Sequence, residues 1–155
     1  MSCCQKMSNK LRRHILTEAD AMFFYKCATA KQSQDISNRK EISTIASKFG
    51  INIEFKSESC KNRSIEQDCI RIYGYIKGAG KNQLFFNHIR NAFAHLYIEI
   101  SGTRCKLLDW NPYDSYGKRQ NFKASLITMH GDVSYDSLKK LLCEFFSNKS
   151  KIKKK

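Results

Sequence analysis

Between Asn87 and His95 the chain reads Asn-His-Ile-Arg-Asn-Ala-Phe-Ala-His. On a helix, this stretch gathers a fixed cation (Arg90), a primary amide (Asn91) and an imidazole (His95) within about one and a half turns. Asn91 and His95 are i,i+4 neighbours and His88 and Asn91 are i,i+3 neighbours, so these three share one stripe, with Arg90 beside it. An imidazole exchanges protons near neutral pH. A guanidinium stays charged and grips phosphate with two parallel bonds. An amide can hold a hydroxyl or fix an imidazole tautomer. Together these groups suit scission of a phosphodiester by its own 2′-hydroxyl. His95 would take the hydroxyl proton, Arg90 would stabilise charge building on the phosphoryl oxygens, and Asn91 would position the reactants. This chemistry calls for no metal or other cofactor. With His95 as the base, one copy of the motif lacks an acid for the leaving group, which a symmetric homodimer could supply. His88 is a candidate substrate contact, with a structural role the weightier alternative.

Other elements must position this stretch. Residues 8–30 carry Leu11, Ile15, Ala19, Met22, Phe23, Cys27 and Ala30 at helical spacing. A second helix starts near Ser37 or Asn38, with Glu41 in reach of a capping contact, and stops at Gly50. Ile51–Phe55 alternates and reads as a short strand or an extended linker. Ser64 with Gln67 resembles a capping box, and Ile65, Cys69, Ile72, Tyr73 and Ile76 predict a third helix. The fourth, Asn82–His95, carries the motif on a face fastened by Ile89, Ala92, Phe93 and Leu96. Tyr97–Ile100 and Arg104–Leu108, joined by Ser101-Gly102-Thr103, predict a β-hairpin. Residues 109–121 read as a loop, 122–129 as a third strand, Gly131-Asp132 as a turn with His130 beside it, and Ser134 as the start of a closing helix. The expected fold is mainly α: a helical bundle with a small antiparallel sheet before the C-terminal helix. Residues 1–148 form one domain and 149–155 a basic, disordered tail.

The chain has 155 residues and a formal charge of +14, from 28 basic and 14 acidic side chains. Lys149, Lys151, Lys153, Lys154 and Lys155 account for five of those charges, leaving +9 on the remainder. A tail alone therefore does not explain the bias, which points to a polyanion such as RNA. Lys118 and Arg119 are candidate substrate-binding residues, set in a loop with Tyr113 and Tyr116 and preceded by Asp109-Trp110-Asn111, where rings interleaved with cations could stack bases and hold phosphates. Packing as a cap on the hairpin is the equal alternative. The cysteines number seven, with no CxxC, which suits small buried hydrophobes in a reducing cytoplasm better than disulfides or a zinc site. Met1–Lys10 does not read as a signal peptide, and no apolar run is long enough to span a membrane. Gly78-Ala79-Gly80-Lys81 lacks the spacing and flanking strand of a phosphate-binding loop.

Ile89-Arg90-Asn91-Ala92-Phe93-Ala94-His95 resembles the Arg-Asn-x-x-x-His signature of the HEPN superfamily. The strands and closing helix after it resemble a plasmid-associated bacterial branch of those proteins. The resemblance implies a dimeric helical bundle, with Arg90, Asn91 and His95 at the dimer cleft as the residues of a metal-independent endoribonuclease. It also implies a toxin–antitoxin or phage-defence role, with an antitoxin protein as a further partner. Some members bind RNA, nucleotides or proteins without cutting, which is the alternative. Many relatives carry Gly after the His, where this chain has Leu96.

Overall fold

The computed structural model describes residues 39–95 and 97–147. The expected helix over 8–30, Leu96 and the lysine tail lie outside them. Element order is α1 (Ile42–Ser47), β1 (Asn52–Phe55), β2 (Cys69–Ile72), α2 (Lys81–Ala94), β3 (Ile98–Ser101), β4 (Arg104–Trp110), β5 (Ile127–Ser134) and α3 (Tyr135–Ser147). The strands form one five-stranded sheet in the order β1-β2-β5-β4-β3. β1 and β2 run parallel and every other pair is antiparallel. Among the described residues no helix is long and apolar enough to cross a membrane.

Period-two burial fixes the layers. Ile53, Ile70, Ile72, Ile98, Ile100, Cys105, Leu107, Met129 and Val133 share a single core with Ile42 and Ile45 of α1, Phe85, Phe86, Ile89 and Phe93 of α2, and Leu138, Leu141 and Phe145 of α3. All three described helices therefore cover one face of the sheet. Along β4 the burial alternates, with Cys105, Leu107 and Asp109 buried and Arg104, Lys106, Leu108 and Trp110 less so. The second set projects from the opposite face, across which the connection 56–68 between the parallel strands passes.

The expected helical bundle is thus replaced by an α/β fold, in which the described residues form a five-stranded sheet with helices on one face, and three local expectations change with it. Residues 65–76 form β2 and its flanks, not a helix. Ile70 and Ile72 alternate with Cys69, Arg71 and Tyr73 in a way that overlaps helical spacing, and parallel pairing with β1 decides for strand. Ile65 falls in the connection, Ser64 N–H donates to Asn62 Oδ1 instead of starting a helix, and Ile76 stands 75% exposed. Residues 122–129 are not one strand. A short 3-10 turn spans Ala124–Leu126 and β5 begins after it. Gly131-Asp132 is no turn either. Gly131 sits mid-strand between Ile70 and Leu107, and an added Cβ would lie 2.8 Å from Ile70 Cγ1. There glycine permits close packing rather than a bend.

Elsewhere the expected elements form. β3 and β4 pair as a hairpin around Gly102, whose φ of +59° favours glycine. α1 ends before Gly50 at φ +74°. Its start differs from expectation, because the Glu41 side chain makes no capping bond. Buried Asn82, in the first turn of α2, does so instead. Its Oδ1 accepts from Ile42 N–H at 2.7 Å, while Nδ2 donates to the Lys40 and Arg39 carbonyls. One amide thereby joins the starts of α1 and α2.

Candidate active site

α2 holds the motif because its apolar residues Phe85, Phe86, Ile89, Ala92 and Phe93 are almost wholly buried, which fixes the rotation of the helix on the sheet. That rotation presents His88 and Asn91 to β4, where alternation has put Asp109 on the helix-facing side. His88 Nδ1–H donates to Asp109 Oδ2 at 2.7 Å, and Asn91 Nδ2–H donates to the same oxygen at 3.3 Å. Arg90 Nη2–H donates to Asn91 Oδ1 at 2.7 Å. The result is a continuous run, Arg90–Asn91–Asp109–His88, in which the Asn91 amide links the guanidinium to the carboxylate. Asp109 is 5% exposed, so its oxygens depend on these protein donors.

The pair fixes a tautomer. A carboxylate oxygen only accepts, so His88 Nδ1 carries the hydrogen and Nε2 is left to exchange a proton. Arg90 Nε and Asn87 Oδ1 are buried without a hydrogen-bond partner. His95, by contrast, is exposed. It is the C-terminal cap of α2, its N–H donating to the Asn91 carbonyl at 2.9 Å. Its ring stacks on Tyr97, with centroids 5.8 Å apart and planes 29° apart. Tyr97 begins a row of rings, with Trp110 at 6.2 Å, Phe122 at 5.2 Å from Trp110, and the Arg63 guanidinium 5.1 Å from the Phe122 centroid.

Of the residues expected to act together, Arg90, Asn91 and His88 are joined by hydrogen bonds, while His95 lies at the end of the same stripe. His95 lies seven positions after His88, a rise of about 10 Å along the helix. Lys118 and Arg119 are not brought to them by any described contact. Both are exposed in the loop 111–123, which folds on itself: Asp114 N–H donates to the Lys118 carbonyl, Gln120 N–H to the Pro112 carbonyl, and Arg119 bridges to Tyr113.

Asp109 is the site residue that a loop assignment from 109 onward hides. Its signal is present in the sequence. The alternation Cys105-x-Leu107-x-Asp109 continues the apolar face with a carboxylate, and a carboxylate there needs a partner. His130 is also misplaced by the turn assignment. It is a buried strand residue, with Nε2 2.7 Å from Tyr73 Oη. Burial holds its pKa below the ordinary histidine value. The Arg63 backbone approaches closely enough to favour the charged form, but not in the geometry of a hydrogen bond to Nδ1, which is left without a partner.

Comparison with protein-family models, with curated proteins and with solved structures finds no match to this chain. The likeness to HEPN proteins rests on the motif Arg90-Asn91-x-x-x-His95 and the strands and closing helix after it, without the mainly helical bundle that it implied.

Proposed function

We propose that this protein cleaves RNA without a metal, by attack of a 2′-hydroxyl on the adjacent phosphodiester. The observation that carries this proposal is the pair of imidazoles on one helix, His88 and His95, flanking the bonded Arg90–Asn91 pair, with His88 backed by buried Asp109. His95, exposed at the helix end, takes the 2′-hydroxyl proton. The freed oxygen attacks phosphorus, and the P–O5′ bond breaks. His88, doubly protonated at this step with its Nδ1–H on Asp109, gives up its Nε2 proton to the departing 5′-oxygen. Arg90 offsets the charge on the non-bridging oxygens. The products carry 2′,3′-cyclic phosphate and 5′-hydroxyl ends.

His88 thereby fills the acid role that the motif alone lacks, so one chain offers both proton carriers. A composite site in a homodimer is a separate proposal, tested by whether a protomer-sized species keeps the activity. The experiment for the cleavage itself is incubation of total RNA with the protein in excess EDTA, beside His95→Ala and Arg90→Ala. Cleavage by the parent and its loss in both variants is expected. Cleavage that persists in both overturns the assignment. A toxin or defence role with an antitoxin partner is proposed on the same residues: expression should arrest bacterial growth, and His95→Ala should relieve it. The second function, holding RNA without cutting, is favoured by the ring row from Tyr97 to Phe122, which needs no chemistry to bind bases.

A further inference from the structure

Asp109 and Trp110 are consecutive on β4, at a shift in the register with β5, and Trp110 packs its ring 6.2 Å from that of Tyr97, which lines the face opposite Asp109. Asp109 faces His88, and Trp110 faces the side that none of the described helices covers. On that side a cleft of ≈ 380 Å³ opens between the connection 56–68 and the strands, lined among others by Arg63, Tyr97, Glu99, Lys106, Leu108 and His130. Two arginines of this face are held by carboxylates. Arg71 is engaged by Glu54 and Glu66, and Arg104 by Asp68 and Asp132. Arg63 and Lys106, both exposed, make no ion pair with a described residue. Lys106 stands in register between Glu99 of β3 and Asp132 of β5, and Arg63 lies against the Phe122 ring, both at the end of the face that holds the aromatic row. Tyr97, Trp110 and Phe122 are each part-buried and so keep part of their surface in solvent. Tyr97 belongs to both regions, stacking on His95 and lining the cleft.

We infer that this end of the open sheet face is a binding groove for single-stranded RNA, with bases stacking on Tyr97 and Trp110 and backbone phosphates meeting Arg63 and Lys106. The inference rests on the cleavage proposed above in one respect, because Tyr97 places the bound strand beside His95. Part-exposed rings, with centroids 6.2 and 5.2 Å apart and planes tilted by 43° and 89°, offer separate surfaces to unstacked bases, whereas a duplex keeps its base faces covered. Arg63 and Lys106, on a chain of formal charge +14, supply the complementary charge. Glu99 and Asp132 also line the cleft, and the Asp132 carboxylate is occupied by Arg104.

Trp110 is the one tryptophan of the chain, so its fluorescence reports on this face. The test uses the full chain and a 2′-O-methylated oligoribonucleotide, which cannot be cut by 2′-hydroxyl attack, offered single-stranded and as a duplex. Saturable quenching is expected, at least tenfold tighter for the single strand. Tyr97→Leu should weaken it by about 5- to 100-fold, from the cost of losing one stacked base, while Tyr97→Phe retains it. Lys106→Gln should lower the salt slope by about 0.7. Equal or tighter binding of the duplex, binding without quenching, or unchanged affinity in a folded Tyr97→Leu variant overturns the inference. An acidic protein that quenches Trp110 where RNA does not also overturns it. Quenching by unmodified RNA that stays intact would keep the groove and remove the cleavage, and cleavage without quenching would do the reverse.

Discussion

Coupling between His88 and Asp109 can be measured apart from any activity. The carboxylate is 5% exposed and the imidazole largely covered, and their 2.7 Å bond joins α2 to β4. His88→Ala leaves Asp109 Oδ2 with only the longer bond from Asn91. Asp109→Ala leaves the His88 Nδ1–H and the Asn91 amide without that acceptor. A hydrogen bond to a charged group contributes about 1.5–3 kcal/mol, and stranding a buried partner costs a similar amount. Each single variant should therefore lose about 2–4 kcal/mol. The double variant should lose less than the sum, because neither member of the pair is left facing a missing partner and only the Asn91 amide loses its acceptor, giving a coupling of about 1.5–3 kcal/mol. Urea unfolding of the four proteins at pH 7 reads this directly. A coupling below about 0.5 kcal/mol, the usual limit of additivity, would refute the pairing.

Three further outcomes follow from the packing. His130 titrates below the ordinary histidine value of about 6.5, so the unfolded chain takes up its proton first as pH falls. Its contribution is complete above that value and is lost as pH drops through it toward the folded pKa. The slope is at most about 1.4 kcal/mol per pH unit, and urea midpoints between pH 7 and 5 should show a decline that His130→Gln flattens. Gly131→Ala should cost about 1–3 kcal/mol in the same assay, because the new methyl meets Ile70 Cγ1 at 2.8 Å and the Cys69 carbonyl at 3.2 Å. Burial pushes the Cys69 thiol up to about 11 and that of Cys105 up to about 12. Iodoacetamide at pH 8 should therefore label exposed Cys143 before either of them, as peptide mass spectrometry would show.

How much of this was legible in the sequence varies by element. α2 and α3 announce themselves through apolar residues at helical spacing, and the β3–β4 hairpin through alternation around Gly102. β2 is hidden because Cys69, Ile72, Tyr73 and Ile76 satisfy a helical period as well as a strand. Only pairing with β1 and β5 separates the two, and that pairing joins segments distant in the chain. β5 is hidden by Gly131, a turn residue by composition that here makes room for Ile70. These two strands turn an expected bundle into a five-stranded sheet. At the site, the one-stripe argument for His88 and Asn91 needs only helical geometry. Asp109 had to come from another element, and the residue that completes the proposed acid–base pair was visible all along as His88 but without its partner. The loop that holds Lys118 and Arg119 offered rings and cations in sequence. The rings that line up are instead Tyr97, Trp110 and Phe122, drawn from three separate segments.

The central proposal is that His88 and His95 move protons for 2′-hydroxyl attack beside Arg90. It is tested most directly with one oligonucleotide sequence made as RNA and as DNA, each incubated with the protein in excess EDTA. The account predicts that the RNA alone is cut, leaving 2′,3′-cyclic phosphate ends, and that His88→Ala and His95→Ala each lower the rate by at least a hundredfold, the lower range for general acid–base catalysis. Cutting of the DNA, ends without the cyclic phosphate, or full activity in either histidine variant would contradict it.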